Sequence, residues 1–263
     1  MITSVFLRAT VRRALLALAL AFATVPLAVP AGAQDFTDKQ KAAIGEIIRE
    51  YLMQNPDVIQ EALVELDRRQ KEQERVSIQG AIKDLQPLLT GADRNIVVGN
   101  PAGDVTIVEF TDYNCPYCRR SVADLRELLK ADPKLRVVIR DFPLQGQDSI
   151  EAAQVSIAAK NQLKADKWWD FHVKLMESKA RVGKAQALAA AKDAGADMVR
   201  LAKDMDGPDV QSQLQDTMRM ADMLKLSGTP AYVIGSEIVF GAVGTEQLRS
   251  TVTAMRQCGK ATC

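Results

Sequence analysis

Between residues 37 and 66, apolar residues recur at helical spacing in two short stretches. The first stretch begins at Thr37, which together with Gln40 has the Thr-x-x-Gln pattern of a capping box. Asn55-Pro56 ends this helix and begins the next, because asparagine caps a helix well and proline is tolerated at the first helical position. The stripes are Ile44, Ile47, Ile48, Tyr51 and Leu52, then Ile59, Ala62, Leu63 and Leu66. The pattern predicts two short amphipathic helices.

A run without any apolar side chain, Asp67 to Arg75, follows these helices. Such a stretch has no face to bury in a core, so we interpret it as a connector that is either helical or flexible. The two helices bury little apolar area on their own, which favours their association with other copies of the chain. Packing onto their own domain is the alternative. Residues 34–75 are therefore predicted to be a small helical oligomerisation segment with a charged connector.

The hydrophobic period changes at Asn95, after which apolar residues form short continuous runs. Strands are predicted over residues 96–98, 105–110, 135–140, 231–234 and 238–240, and helical regions over 116–129, 149–226 and 245–257. The helix over 116–129 lies between two strands, which is the order of a βαβ unit. The pattern predicts an α/β domain over residues 76–263.

The composition is that of an ordinary soluble globular protein, and it narrows the functional classes. The chain has 263 residues, of which 47% are hydrophobic, so disorder and collagen-like repeats are excluded. Lysine and arginine together number 34 against 33 acidic residues, which leaves no basic field to attract nucleic acid. We therefore expect no nucleic-acid partner.

The first 33 residues have the three parts of a secretory signal peptide. The positive region holds Arg8, Arg12 and Arg13, the apolar region is residues 14–23, and the small-residue cleavage site is Ala31-Gly32-Ala33. Pro26 and Pro30 interrupt the apolar run before it reaches the ~20 residues that a spanning helix needs. A retained buried helix is the alternative. The pattern predicts a cleaved signal over residues 1–33 and export to the oxidising periplasm.

Cys115-Pro116-Tyr117-Cys118 lies at the predicted junction of a strand and a helix. Pro116 then occupies the first helical position, and the sulfur of Cys115 lies beside backbone N–H groups that have no partner within the helix. A helix N-terminus stabilises a thiolate by up to about 2 kcal/mol. Cys115 is therefore predicted to be the nucleophile, and Cys118 is predicted to resolve a mixed disulfide formed on it.

A static disulfide or half of a zinc site is the alternative interpretation of these two cysteines. A zinc site needs further cysteine or histidine ligands, and the chain has one histidine, His172. His172 lies among apolar residues at core spacing, so we expect a structural role for it and no metal site. Cys258 and Cys263 are expected to form a permanent disulfide, or else a free pair that shuttles electrons or binds Cu(I).

Four separated motifs resemble the DsbA-like thiol:disulfide oxidoreductases, which have a thioredoxin fold with a helical insertion. The motifs are VEFTDYNCPYC over residues 108–118, RDFPL over 140–144, KWWDFH over 167–172 and GTPAYV over 228–233. The likeness covers about residues 95–257 and places the insertion at about 146–226. Phe36-Thr-x-x-Gln40 and Tyr51-Leu-x-x-Asn-Pro56 are similar to the oligomerisation region of the ScsC (suppressor of copper sensitivity protein C) group. The resemblance implies a thioredoxin fold preceded by a helical oligomerisation segment.

The resemblance also implies roles for individual residues. It implies that Glu109 is a buried acid that accepts the proton of the resolving cysteine, with a glutamate on an exposed strand face as the alternative. It implies a cis peptide bond at Thr229-Pro230, opposite the cysteines. Together with Pro116 and Tyr117, this dipeptide is expected to bind the substrate. Proline has no backbone donor, so the preceding residue stays free to pair with an extended substrate segment.

We expect an exported thiol:disulfide oxidoreductase that isomerises or reduces disulfides of protein or peptide substrates. Threonine before the cis-proline and the Pro-Tyr dipeptide resemble the isomerase and reductase branches of the family. The alternatives are a DsbA-type dithiol oxidase and a non-enzymatic periplasmic Cu(I)-binding or chaperone protein linked to copper tolerance; the insertion disfavours a glutaredoxin. The redox-active Cys115–Cys118 disulfide is expected to serve without an added cofactor. The expected partners are a membrane redox protein and further copies of the chain, as a homotrimer first and a dimer second.

Overall fold

A computed structural model describes residues 36–91 and 95–263. The predicted signal peptide, residues 1–33, lies outside the described residues. The chain divides into two compact units, with the boundary between Glu65 and Leu66. Within the described ranges, no helix is both long enough and apolar enough to span a membrane.

In the first unit, helix α1 (Asp38–Gln54) begins with the predicted capping box. The Thr37 side chain accepts a hydrogen bond from the N–H of Gln40, and the Gln40 side chain accepts one from the N–H of Thr37. No residue of α1 is buried within a single chain, and Ile47 in its apolar stripe is 66% exposed. The predicted amphipathic helix is therefore present, with its apolar face uncovered.

Helix α2 (Asp57–Thr90) is much longer than the pattern predicted, because the charged connector is helical and the helix continues through residues 76–90. Ion pairs at helical spacing join Asp67 to Lys71 at 2.8 Å and Arg75 to Glu72 at 2.7 Å. Pairs of this kind stabilise an exposed helix by about 0.2–0.5 kcal/mol each. Of the two alternatives for the connector, the structure shows the helical one.

The second unit is built on a mixed sheet, which has five strands in the described residues. They are β1 (Ile96–Gly99), β2 (Val105–Thr111), β3 (Leu135–Asp141), β4 (Ala231–Ile234) and β5 (Glu237–Phe240), in the spatial order β1-β3-β2-β4-β5. Strands β2 and β3 are parallel and are joined through helix α3 (Pro116–Ala131), whereas the other pairs are antiparallel. The predicted strands and the βαβ unit are confirmed.

The predicted helical insertion lies between β3 and β4. Its helices are α4 (Gln147–Lys160), α5 (Ala165–Met176), α6 (Lys184–Asp193), α7 (Met198–Asp204) and α8 (Pro208–Met223). Helix α9 (Thr245–Cys258) follows the sheet and packs against α3. This arrangement is the predicted α/β class, a thioredoxin fold with a helical insertion.

Two apolar cores lie on the two faces of the sheet, because side chains alternate along each strand. On β3, Val137 and Ile139 contribute to a core that also contains residues of the insertion. Val138, between them, contributes to a second core on the opposite face. Both faces of the central strands are therefore covered, which explains their continuous apolar runs.

The second core includes the C-terminal part of α2, which precedes the change of hydrophobic period. The residues of α2 in this core are Ile82, Leu85 and Leu89. Arg136 of β3 donates a hydrogen bond to the carbonyl of Thr90, at the end of α2. Arg140, on the same face of β3, donates one to the carbonyl of Leu88. These buried cations satisfy carbonyl groups that lack partners within the helix, and so attach α2 to the sheet.

Leu89→Ala is expected to lower the free energy of unfolding by about 2–5 kcal/mol, because Leu89 is 0% exposed and alanine leaves a cavity. Leu88→Ala removes the same atoms from a side chain that is 50% exposed and is expected to cost less than about 1 kcal/mol. Urea unfolding followed by circular dichroism measures both losses. Equal losses in the two variants would show that α2 is not part of the core.

Candidate active site

Cys115 occupies the N-cap position of α3, directly after the loop that follows β2. Its backbone is extended (φ −77°, ψ 120°), and Pro116 is the first residue of the helix. Proline fits there because the N–H that it lacks has no partner within the helix in any case. Cys115 and Cys118 are both free thiols, with 4% and 1% of their surfaces exposed. The predicted position of the motif at a strand–helix junction is confirmed.

The surroundings of Cys115 favour its thiolate form, so its pKa lies below that of an ordinary thiol although burial opposes the charge. The largest contribution is a hydrogen bond from the thiol of Cys118. The backbone N–H groups of Tyr117 and Cys118, in the first turn of α3, act in the same direction. Cys115 therefore has the electrostatic environment of a nucleophilic cysteine.

The pKa of Cys118 is shifted in the opposite direction, upward, mainly because its burial penalises the charged form. Its hydrogen bond to Cys115 and the negative charge of Glu109 raise it further. Cys115, at the N-terminus of α3, therefore favours the thiolate form, whereas Cys118, one turn further into the helix, keeps its proton. This difference suits an attacking cysteine and a resolving cysteine.

The Thr229–Pro230 peptide bond is cis, as predicted, and lies beside the cysteine motif. In its thiol form, Sγ of Cys115 donates a hydrogen bond to the carbonyl of Thr229 over 3.2 Å. The carbonyl of Pro230 accepts a hydrogen bond from the N–H of Gly241 at 2.8 Å, which attaches the turn to the end of β5. The structure therefore brings the expected substrate-binding dipeptide to the predicted nucleophile.

Tyr117 lies on the exposed side of the motif, next to Pro116. Its side chain is 55% exposed, and the guanidinium carbon of Arg120 lies 5.0 Å from the centre of its ring. A cation over an exposed aromatic ring contributes about 0.5–1 kcal/mol. Pro116 and Tyr117 thus present an ordered, largely apolar surface beside Cys115.

Glu109 is buried in the middle of β2 with 2% of its surface exposed, so the alternative of an exposed strand glutamate is wrong. It lies opposite Tyr232 of β4. The hydroxyl of Ser121 lies 3.4 Å from Oε1 of Glu109 and 3.0 Å from the carbonyl oxygen of Cys118. Burial raises the pKa of Glu109 to about 8. A carboxyl group with this pKa can take up or release a proton near neutral pH.

Asp112 organises the loop before Cys115, although nothing in the sequence analysis assigned it a role. Its carboxylate accepts hydrogen bonds from the N–H of Asn114 at 2.7 Å, the hydroxyl of Ser149 at 2.7 Å, the N–H of Leu144 at 2.6 Å and the N–H of Gln145 at 2.8 Å. The available signal was the pattern Asp-x-Asn directly before the first cysteine, because both residue types bond to the backbone of turns.

A buried polar cluster lies below this loop. The hydroxyl of Tyr113 donates to Oγ of Ser156 at 2.8 Å and lies 3.0 Å from Nδ1 of His172. Burial lowers the pKa of His172 to about 3, so the imidazole is neutral, in agreement with the expected structural role. Burial also raises the pKa of Asp141, at the end of β3, to about 7. Asp141 was not singled out from the sequence, because a charged residue at a strand end is usually solvated.

Cys258 and Cys263 form a disulfide, the first of the two expected alternatives, with Cα atoms 6.2 Å apart. Arg256, in the same turn of α9, pairs with Asp132, the C-cap of α3. Cys115 lies at the other end of α3, about 24 Å away at 1.5 Å per residue. The disulfide is therefore remote from the free thiols of Cys115 and Cys118. In residues 36–91 and 95–263, no group of three or more His, Cys, Asp or Glu side chains is arranged to hold a metal ion.

Cys115 is expected to titrate with an apparent pKa below about 7, against about 8.5 for an unperturbed thiol. Thiolate absorbance measured against pH, with Cys115→Ser as the blank, gives this value. Cys118→Ala is expected to raise it, because the largest stabilising hydrogen bond is lost, whereas Cys118→Ser keeps a donor and is expected to raise it less. A wild-type midpoint near 8.5 would contradict the assignment of Cys115 as an activated nucleophile.

Glu109→Gln is expected to stabilise the reduced protein at pH 8.5 by more than about 1 kcal/mol, since each unit of pKa corresponds to about 1.4 kcal/mol. The folded pKa of Glu109, about 8, lies above the ordinary value of 4.5, so its contribution to stability is complete below pH 4.5 and is lost as the pH rises through 8. The contribution of Asp141 to stability is also lost as the pH rises, but Asp141 is present in both proteins and so does not affect the difference between them. Urea unfolding at pH 5, 7 and 8.5 measures the difference, with the exposed Glu246→Gln as control. Identical pH profiles for wild type and Glu109→Gln would show that Glu109 is not perturbed.

Comparison with known proteins agrees with this geometry. Residues 106–253 match the model of the DSBA-like thioredoxin domain, and residues 40–73 match that of the copper resistance protein ScsC N-terminal domain. A solved thioredoxin-like oxidoreductase from Silicibacter pomeroyi is 37% identical, with a TM-score of 0.62, over 66% of this chain and 98% of that one. A linker-deletion mutant of ScsC from Proteus mirabilis is 25% identical, with a TM-score of 0.62, over 86% of this chain and 99% of that one.

The curated relatives include the Na(+)/H(+) antiporter NhaA 1 of Salinispora arenicola, which is 28% identical over 164 residues, or 62% of this chain. The aligned part is 25% of that antiporter, so this chain spans about a quarter of its length. The DSBA-like model, in contrast, matches more than half of this chain and includes Cys115, Cys118, Glu109 and Pro230. The chain therefore belongs to the DsbA-like thioredoxin domain family.

Proposed function

We propose that this protein is an exported thiol:disulfide oxidoreductase that isomerises or reduces the disulfides of protein and peptide clients. The observation that supports this most is the position of Cys115, a thiol with a lowered pKa whose Sγ lies 3.2 Å from the carbonyl of Thr229, next to the cis-proline. A nucleophile in this position lies beside backbone that can pair with an extended client segment.

In isomerisation, the thiolate of Cys115 attacks one sulfur of a client disulfide. A mixed disulfide forms between Cys115 and the client, and the second client sulfur leaves as a thiolate. Another client thiolate then attacks the client sulfur of the mixed disulfide, so that a new client disulfide forms and Cys115 returns as a thiolate. No net transfer of electrons occurs, and no cofactor is needed.

In reduction, the same mixed disulfide forms first between Cys115 and the client. The thiol of Cys118 then gives its proton to the ionised carboxylate of Glu109, and the resulting thiolate attacks the sulfur of Cys115, which breaks the bond between Cys115 and the client. The client sulfur leaves as a thiolate, and Cys115 and Cys118 close to a disulfide. The two electrons gained by the client come from this cysteine pair. A membrane redox partner would return two electrons to the disulfide and so complete the cycle.

The apolar stripe of α1 supports self-association, which we propose to be a homotrimer, with a dimer as the second possibility. No residue of α1 is buried in a single chain, and Ile47, Ile48 and Tyr51 are each more than half exposed. The match of residues 40–73 to the ScsC N-terminal domain agrees with such a role. Linked active sites would raise the effective concentration of thiolate around one client, which favours repeated attack on misplaced disulfides.

Two further candidates have specific support. A dithiol oxidase is favoured by the lowered pKa of Cys115, because a stabilised thiolate stabilises the reduced pair and makes its disulfide more oxidising. A Cu(I)-binding or chaperone protein is favoured by the two adjacent free thiols, since soft thiolates select Cu(I), and by the copper resistance domain matched at residues 40–73.

Refolding of a scrambled-disulfide ribonuclease distinguishes these functions. In a glutathione buffer, the protein comprising residues 34–263 is expected to act on both forms of ribonuclease. It is expected to restore activity to scrambled ribonuclease faster than it oxidises reduced ribonuclease. Cys115→Ser is expected to abolish both reactions, because the attacking sulfur is lost. Faster oxidation than isomerisation would support the oxidase. Tight Cu(I) binding that is lost in Cys115→Ser, without turnover of either substrate, would support the copper-binding protein.

Ile48→Glu is expected to convert the trimer into monomers, because it places a charge in the apolar stripe of α1. At equal concentration of active sites, this variant is expected to isomerise the scrambled substrate several-fold more slowly and to reduce a small peptide disulfide at the wild-type rate. Glu46→Lys, outside the stripe, is the matched control, and deletion of residues 34–75 is expected to act like Ile48→Glu. Light scattering gives the mass of each protein. A monomeric wild type, or a monomeric variant that isomerises equally well, would refute the role of α1.

A further inference from the structure

Two side chains of the cysteine region hold the loop between α5 and α6, which belongs to the helical insertion. The first is Asn114, which directly precedes Cys115. Its Oδ1 accepts a hydrogen bond from the N–H of Val182 at 2.8 Å, and its Nδ2 donates one to the carbonyl of Val182 at 2.8 Å. Nδ2 also lies 3.0 Å from Oγ of Ser149 on α4. One amide thus satisfies both backbone groups of one residue in the insertion.

The second side chain is Arg119, which directly follows Cys118 on α3. Its guanidinium donates to the carbonyls of Tyr113 at 2.8 Å, Ser178 at 2.7 Å and Ala180 at 3.0 Å, and to Oδ1 of Asn114 at 3.3 Å. All of these acceptors in the described structure are uncharged oxygens. A planar guanidinium presents its donors in a fixed fork, whereas an ammonium on a flexible stem cannot reproduce that geometry.

Arg119 contacts the backbone both before Cys115 and at Cys115 itself. Its side chain holds the carbonyl of Tyr113, two residues before Cys115, and its backbone N–H bonds to the carbonyl of Cys115 at 3.1 Å. The adjacent Arg120 has a different partner, the ring of Tyr117, with its guanidinium carbon 5.0 Å from the ring centre. The two arginines therefore bring the same charge to the same turn of α3, but only Arg119 is bonded to the loop that carries Cys115.

We propose that Arg119 and Asn114 are positioning residues that fix Cys115 at the N-terminus of α3 against the insertion loop, residues 178–182. The inference rests on the proposed function, which makes Cys115 the attacking thiol. The thiolate depends on short-range donors, namely the thiol of Cys118 and the N–H groups of the first helical turn. Such hydrogen bonds weaken steeply when their geometry is disturbed. Loss of the contacts to the insertion would therefore make Cys115 a less stable thiolate.

The test compares four variants of residues 34–263 by the apparent pKa of Cys115 and by the equilibrium of the cysteine pair with glutathione. Arg119→Lys keeps the charge and loses the fork, Arg119→Met loses both, Arg120→Met removes a charge without touching the loop, and Asn114→Ala removes the second contact. We expect Arg119→Lys, Arg119→Met and Asn114→Ala each to raise the pKa by about one unit and to shift the equilibrium about tenfold toward the protein disulfide. Arg120→Met is expected to change the acid dissociation constant of Cys115 and the equilibrium constant with glutathione each by less than about twofold.

Far-ultraviolet circular dichroism and urea unfolding show whether each variant is folded, and Asn114→Ala tests the proposal if the Arg119 variants do not fold. A wild-type pKa in both Arg119→Lys and Asn114→Ala would overturn the proposal. A shift in Arg120→Met equal to that in Arg119→Met, with Arg119→Lys unchanged, would also overturn it, because charge alone would then act on the thiol. Failure of the proposed function is a separate result: the wild type would not exchange with a peptide disulfide, whatever the order of the pKa values among the variants.

Discussion

The position of Cys115 at the N-cap of α3 is the constraint on which the site depends. At this position the sulfur meets the N–H groups of the first helical turn, the thiol of Cys118 and the carbonyl of Thr229 from a distant turn. Burial alone would keep both thiols protonated. Directed hydrogen bonds lower the pKa of Cys115, while burial raises the pKa of Cys118, so the two cysteines of one dithiol have opposite pKa shifts.

The sheet holds this helix terminus in place because both of its faces are covered. One face packs against residues of α3, α9 and most of the insertion, and the other packs against α2 and the C-terminal end of α8. Arg136 and Arg140 of β3 donate hydrogen bonds to the carbonyls of Thr90 and Leu88, so two carbonyls of the last turn of α2 are satisfied by the sheet. The same helix continues toward its N-terminus through the charged connector, whose ion pairs stabilise it without burying any apolar face.

Two buried carboxyl groups lower the stability of the fold at high pH. Glu109 lies in the middle of a central strand and Asp141 at the end of its neighbour, and burial raises the pKa of both toward neutrality. An apolar residue at either position would avoid this loss of stability at high pH. Glu109 lies within reach of Ser121, which also contacts the backbone of Cys118, so its position is consistent with proton exchange at the resolving cysteine.

The sequence alone determined the features that depend on near neighbours along the chain: the capping box at Thr37, the short apolar strands, and the Cys-Pro-Tyr-Cys motif at a helix N-terminus. Its resemblance to a family added the cis bond at Pro230. The tertiary structure decided that Glu109 faces a covered side of the sheet and that Arg119 and Asn114 hold the insertion. Hydrophobic period and capping are local, whereas burial and these hydrogen bonds arise between segments that lie tens of residues apart, and no local pattern encodes which segments meet.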